Sequence, residues 1–196
     1  ITGLPASGKS TVAAALRPHL ESSGHSVEVL ESDEVRRILT PSATYSDAER
    51  DLFYRALAFT GARLVANGVT VIFDATATKR AYRDFARRLI PRFFEVAVVC
   101  PLEFCMQRDY KGTYRRGQRG DTSTVPGLQV PYEAPEHPEV TIDTTQVQAK
   151  EAAALMPRGG CMPRPFQPAP GSSRRARASV PAAAGSSGVV RRRGVL

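Results

Sequence analysis

An α/β fold, with a parallel sheet covered by helices on both faces, is what this sequence predicts, and three observations predict it. Short apolar or β-branched runs alternate with helical patterns over most of the chain. The segment Gly3-Leu4-Pro5-Ala6-Ser7-Gly8-Lys9-Ser10 fits G-x-x-x-x-G-K-[ST] without a mismatch, between a strand-like start and an amphipathic helix. The excess positive charge is confined to the C-terminal end, so the folded body is electrically balanced.

The strand-like runs are Val27 to Leu30, Val69 to Phe73, Phe94 to Val99 and Val140 to Ile142. Ile1-Thr2 reads as the end of a further strand. One helix is predicted from Thr11 to Leu20, closed by Ser22-Ser23-Gly24. A second runs from about Ser46 to Ala66 and sets Phe53, Leu57, Gly61 and Leu64 on one face. Ser46 and Glu49 form a capping-box pattern at its start, and Asn67-Gly68 ends it. Residues 110–138 are rich in Gly, Pro and basic side chains and too long for a plain connection, which predicts a functional lid. A last helical pattern runs from Val147 to Met156 and stops at Pro157.

Charge divides the chain the same way. Of 196 residues, 27 are basic and 19 acidic, a net charge of +8. Eight Arg and no acid lie beyond residue 156; removing them leaves 19 basic against 19 acidic residues in the body. The predicted domains are therefore a folded unit over 1–156 and an Arg/Pro/Ala/Gly-rich tail over 157–196. The tail has too few large apolar residues to repay its ordering entropy, and disorder is expected for it. A nucleic-acid reader would interleave aromatics with its basic residues, and Phe166 is the tail's only aromatic, so no specific nucleic-acid partner is expected. No apolar run approaches the ~20 residues of a membrane helix, so no membrane partner is expected. Three Cys, at 100, 105 and 161, suit neither a zinc site nor a redox pair and read as reduced thiols of a cytoplasmic protein, with Cys100 and Cys105 packed.

The glycine-rich segment is a phosphate cradle. Its backbone N–H groups can turn inward around phosphate oxygens, and the following helix presents its positive end to the same anion. Lys9 is placed to reach the β- and γ-phosphates of a nucleotide, and Ser10 offers its hydroxyl to Mg²⁺. The prediction is thus a P-loop NTPase-type three-layer sandwich. The strand that should aim the cradle is central in such a sheet, yet only Ile1 and Thr2 stand for it. The chain is accordingly expected to lack several N-terminal residues and to be poorly stable as given.

A kinase also needs carboxylates beside the transferred phosphoryl group. Asp33 follows the run ending at Leu30, and Asp74 ends the run Val71-Ile72-Phe73. Ligands of parallel sheets sit at strand carboxyl ends, so both acids point toward the cradle. The alternative reading makes each a helix cap. Arg36, Arg50 and Arg55 suit a phosphate or sulfate, and spacing alone does not choose among them.

Several blocks resemble the adenylylsulfate kinase family. The cradle from Thr2 to Thr11 is similar, as is Leu30-Glu31-Ser32-Asp33-Glu34-Val35-Arg36 to its Leu-Asp-Gly-Asp-x-Val-Arg. Tyr45-Ser46-Asp47-Ala48-Glu49-Arg50 resembles Phe-Ser-x-x-Asp-Arg. Pro101 to Tyr114 resembles Pro-Leu-x-x-Cys-x-x-Arg-Asp-Pro-Lys-Gly-x-Tyr, and Pro131-Tyr132-Glu133-Ala134-Pro135-Glu136 matches the family's acceptor-side loop. The resemblance implies transfer of the γ-phosphoryl of ATP to the 3′-hydroxyl of adenosine 5′-phosphosulfate. It implies that Asp33 is the catalytic acid near Mg²⁺, and that Arg36 and Arg50 hold the phosphosulfate. It also implies that Tyr45 stacks on the acceptor's adenine, that Lys111 approaches the acceptor, and that Arg108 lies on the ATP side with Arg115 and Arg116. A homodimer is left open.

The departures gather on the acceptor side. Phe53 stands for Asn, Thr76-Ala77-Thr78 for Ile-Ser-Pro, and Val125-Pro126-Gly127-Leu128-Gln129 for Phe-Thr-Gly-Ile-Asp. Glu31 replaces an Asp, and Asp74 is unusual for the family. A different small hydroxyl acceptor and a non-catalytic nucleotide-binding remnant are the alternatives these changes leave.

Overall fold

The computed structural model describes residues 1–156. The tail expectations, Pro157 and Cys161 among them, lie outside the described residues. The elements in order are α1 Lys9–Glu21, β1 Val27–Glu31, α2 Ser32–Leu39, α3 Asp47–Ala66, β2 Thr70–Asp74 and α4 Arg80–Leu89. They continue with β3 Val96–Val99, α5 Leu102–Gln107, α6 Thr113–Arg119, β4 Val140–Asp143 and α7 Ala149–Ala154.

β1 pairs in parallel with β2, from Val27 opposite Thr70 to Glu31 opposite Asp74. β3 pairs in parallel with β4, from Val96 opposite Val140 to Val99 opposite Asp143. Ile1 and Thr2 join the two pairs. Thr2 N–H donates to the Val96 carbonyl at 2.9 Å and the Val98 N–H to the Thr2 carbonyl at 2.8 Å. On the other side the Ile1 nitrogen donates to the Phe73 carbonyl at 2.8 Å and Ala75 N–H to the Ile1 carbonyl at 3.3 Å. These two residues sit at the centre of a β1-β2-(Ile1–Thr2)-β3-β4 arrangement, and the cradle leaves directly from them.

The strands' alternation builds two cores. Ile72, Val96, Val98 and Ile142 pack with Val12, Leu16 and Leu20 of α1, with Ala152 and Ala153 of α7, and with Met156 just after it. Phe53, Tyr54 and Leu57 of α3 and Tyr82 of α4 pack on the opposite side against Leu30 and Phe73. This is the predicted three-layer arrangement. Cys100 and Cys105 are buried in a third cluster with Tyr114 and Val125, and burial pushes the Cys105 thiol up to about 12.

Local details refine the prediction. Ser46 Oγ accepts the Glu49 N–H at 3.3 Å at the start of α3. The second half of the capping box is not made; Glu49 instead accepts from Thr44 N–H at 2.6 Å and Thr44 Oγ1 at 2.7 Å. The lid stretch contains a helix, α6, although its composition reads as loop. No helix among the described residues is long and apolar enough to cross a membrane.

Candidate active site

The cradle wraps the N-terminus of α1. Gly3 passes so close to β3 that a Cβ there would lie 2.4 Å from the Val98 carbonyl oxygen. Gly8 caps α1 with φ +97°, a conformation that side chains resist. Leu4, Pro5 and Ala6 form the turn between them, with Ala6 at φ 57°. Ser10 and Thr11 are exposed on the first turn of the helix.

Lys9 is buried, and its Nζ donates to the Leu4 carbonyl at 2.7 Å. Burial lowers its pKa; Asp74 and then Asp33 oppose that shift. Lys9 thus feels both predicted carboxylates. Ser7 is fully buried, and its Oγ has no hydrogen-bond partner. A buried polar atom left unmatched inside a phosphate-shaped loop fits an incoming phosphate oxygen. A Mg²⁺ that keeps waters and phosphate oxygens needs only one or two protein ligands. Among the described residues no group of three or more His, Cys, Asp or Glu could cage a metal. Ser10, Asp33 and Asp74 carry the hard oxygen donors that such an ion takes.

The two acids differ. Asp74 is buried at the end of β2, beside Glu31 in register. Asp33 is exposed in the first turn of α2. It does not cap that helix: Glu31 is the N-cap residue and makes no side-chain cap bond. Asp33 Oδ2 instead accepts a hydrogen bond from Lys111 Nζ at 2.7 Å, and Glu31 Oε1 accepts one from the same nitrogen at 3.1 Å. Burial opposes the charged form of Lys111, but Asp33 and then Glu31 outweigh it and push its pKa up.

Lys111 comes from the lid, which is tied to the cradle elsewhere. Tyr114 of α6 donates its hydroxyl to the Pro5 carbonyl at 3.0 Å. Arg108 donates to Thr144 Oγ1 and to the Thr144 carbonyl, both at 3.2 Å. Thr144 Oγ1 donates to the Ser7 carbonyl at 2.8 Å. Arg108 therefore stands on the cradle side. Arg115 bonds the Asp109 carbonyl at 3.0 Å, and Arg116 is exposed on α6.

Arg36, Tyr45 and Arg50 form a second group. The Arg36 guanidinium lies 3.7 Å from the Phe53 ring centre and 5.0 Å from that of Tyr45, and it donates to Glu49 at 3.2 Å. Arg50 donates to the Tyr45 carbonyl at 2.9 Å and the Thr124 carbonyl at 2.8 Å. Both Arg are buried. Arg55 is separate: it is exposed and pairs with Asp51 at 3.7 Å. Among the described residues, left-handed backbone at non-glycine positions occurs at Ala6 in the cradle, at Tyr45 beside Arg36 and Arg50, and at Ala77 after β2. Such strain gathers where function over-determines the backbone.

The family model described as adenylylsulphate kinase matches residues 1–143. The chain belongs to the adenylylsulfate kinase family. A probable adenylyl-sulfate kinase of Archaeoglobus fulgidus is 44% identical over 144 residues, covering 74% of this chain and 93% of the relative. An adenylyl-sulfate kinase of Synechococcus is 39% identical over 155 residues, covering 79% of this chain and 88% of the relative. The Mycobacterium tuberculosis APS kinase CysC, solved in complex with AMPPNP and APS, superposes with a TM-score of 0.73 at 32% identity. That match covers 78% of this chain and 90% of the other. Adenylylsulfate kinases use ATP to phosphorylate adenosine 5′-phosphosulfate.

Two residues that the structure ties to the predicted blocks carry no signal in the sequence: Thr144 bonds Arg108 and the Ser7 carbonyl, and Arg83 bonds the Ala77 and Glu133 carbonyls. Thr144 had no motif around it, and Arg83 looked like any other arginine on a helix.

Proposed function

We propose that this chain transfers the γ-phosphoryl group of ATP to the 3′-hydroxyl of adenosine 5′-phosphosulfate, giving 3′-phosphoadenosine 5′-phosphosulfate. The observation that carries the reading is the bridge from lid Lys111 to Asp33, beside a cradle whose Lys9 feels the same carboxylate. This pairing of an acid at the start of α2 with a cation from the 110–138 segment supports the reading.

The triphosphate lies in Gly3 to Ser10, where Lys9 exchanges the Leu4 carbonyl for β- and γ-phosphate oxygens. Arg108 flanks the ATP side. Asp33 accepts the proton of the acceptor hydroxyl as the bond to phosphorus forms. Lys111 holds Asp33 in line and meets the acceptor's negative charge. Arg36 and Arg50 hold the phosphosulfate, and Tyr45 stacks on the adenine. Ser10, Asp33 and Asp74 would hold Mg²⁺, which when bound neutralises charge across the β- and γ-oxygens. The lid excludes water that would otherwise hydrolyse ATP. Buried, free Cys100 and Cys105 suit a reducing compartment and support a cytoplasmic location.

An ADP-release assay tests this, with adenosine 5′-phosphosulfate compared against nucleosides, sugars and no acceptor. Stimulation by the sulfated nucleotide alone is expected. Stimulation only by another acceptor would match the departures at Phe53 and Val125 and displace the assignment.

A further inference from the structure

We propose that Arg83 is a positioning residue that locks two acceptor-side loops into one jaw for the sulfated nucleotide. The inference rests on the function proposed above and adds a residue to it. Arg83 lies on α4, outside every sequence block that carries the family resemblance, and is buried.

Its guanidinium is engaged in three directions, one bond from each nitrogen. Nε donates to Glu95 Oε1 at 2.7 Å. One terminal nitrogen donates to the Ala77 carbonyl. The other donates to the Glu133 carbonyl at 2.6 Å. Ala77 lies in the loop after β2, held at φ 43°. Glu133 lies in the 131–136 loop. Both segments belong to the blocks that the sequence resemblance assigns to the acceptor side.

The jaw is joined elsewhere by bonds that depend on the same spacing. Glu133 N–H donates to the Thr78 carbonyl at 2.8 Å. Thr2 Oγ1 donates to the Thr76 carbonyl at 2.7 Å and lies 3.0 Å from the Tyr132 hydroxyl. The Tyr132 ring lies 5.9 Å from the Arg83 guanidinium carbon. Glu95 is fixed in turn by Arg87, which also binds Glu139.

Packing alone does not call for this arrangement. A buried ion pair is no more stabilising than apolar residues of the same volume. A planar fork with fixed donor directions instead sets the distance and angle between two backbones. Lysine, with one nitrogen on a flexible stem, cannot hold both carbonyls and Glu95 at once. A displaced loop misplaces the acceptor without touching the cradle, and small misplacements are costly for transfer.

The test is steady-state kinetics on Arg83→Lys beside the wild type, varying adenosine 5′-phosphosulfate and ATP separately. Arg83→Lys is expected to raise KM for the sulfated nucleotide roughly tenfold, the order of one lost charged hydrogen bond, with KM for ATP changed less than about twofold. If Arg83→Lys does not fold, Glu95→Gln reads the same split, with a rise of about threefold for the acceptor alone. A folded variant with both KM values unchanged, or both raised alike, overturns the positioning role, because general loosening would not choose one substrate. A wild type that releases ADP with ATP and another acceptor but not with the sulfated nucleotide overturns the proposed function, and this inference with it.

Discussion

Lys111 Nζ lies 2.7 Å from Asp33 Oδ2 and 3.1 Å from Glu31 Oε1, fastening the 110–138 segment to the junction of β1 and α2. These acids push the lysine's pKa above its ordinary 10.5 against the opposing effect of burial. A raised lysine pKa gives a contribution that is complete below 10.5 and is lost only as pH climbs through the folded value. Lys111 is therefore fully charged at neutral pH. Lys111→Ala is expected to raise KM for adenosine 5′-phosphosulfate about tenfold and to leave the ATP dissociation constant within about twofold. Initial rates and equilibrium nucleotide binding check the two halves.

Tyr45 is partly exposed between the Arg36 and Arg50 guanidinium groups, 5.0 Å and 5.3 Å from its ring centre. Tyr45→Ala removes a stacking surface worth about 1–3 kcal/mol per base, so acceptor KM should rise tenfold or more. Tyr45→Phe restores the residue usual in the family and should keep wild-type kinetics. An unchanged KM in Tyr45→Ala would remove the ring from the acceptor site.

Phe53 is 2% exposed, lies under Arg36 and meets Tyr54 edge-on at 5.3 Å. Phe53→Ala should destabilise the fold by about 3–5 kcal/mol, the range for emptying a buried aromatic site. Urea unfolding with a shared slope for both proteins measures it. A loss below about 1 kcal/mol would mean that α3 collapses into the gap.

Glu139 is held below its ordinary 4.5 chiefly by hydrogen bonds from Arg87. A depressed carboxyl pKa contributes stability above the unfolded value, and that contribution fades as pH falls below 4.5 toward the folded value. Glu139→Gln should therefore lower the unfolding midpoint at pH 7 and narrow its gap to wild type under acid. Thermal melts across that range decide it. A constant gap would show that Arg87 does not set the acid response.

The cradle, the alternating strands and the two long helices were legible because each follows from local rules: a strict motif, β-branched runs and apolar spacing. Helix α6 was not legible, since Gly112 and Gly120 read as loop residues. In the fold both sit at its ends in the left-handed conformation, where glycine marks a cap. Spacing could not rank Arg36, Arg50 and Arg55, because burial separates them and burial is set by distant strands. The same holds for Arg83, whose three partners lie 6, 12 and 50 residues away. The helix-cap alternative for Asp33 failed for a local reason: the helix begins at Ser32 with Glu31 as its N-cap residue, two residues before Asp33.

The account stands on one transfer served jointly by the cradle and the acid. Asp33→Asn, assayed for turnover and for ATP binding in the same preparation, tests that most directly. The account predicts kcat lowered by about a hundredfold or more, the range for removing a general base, with ATP affinity within about twofold of wild type. Full turnover in Asp33→Asn would contradict it.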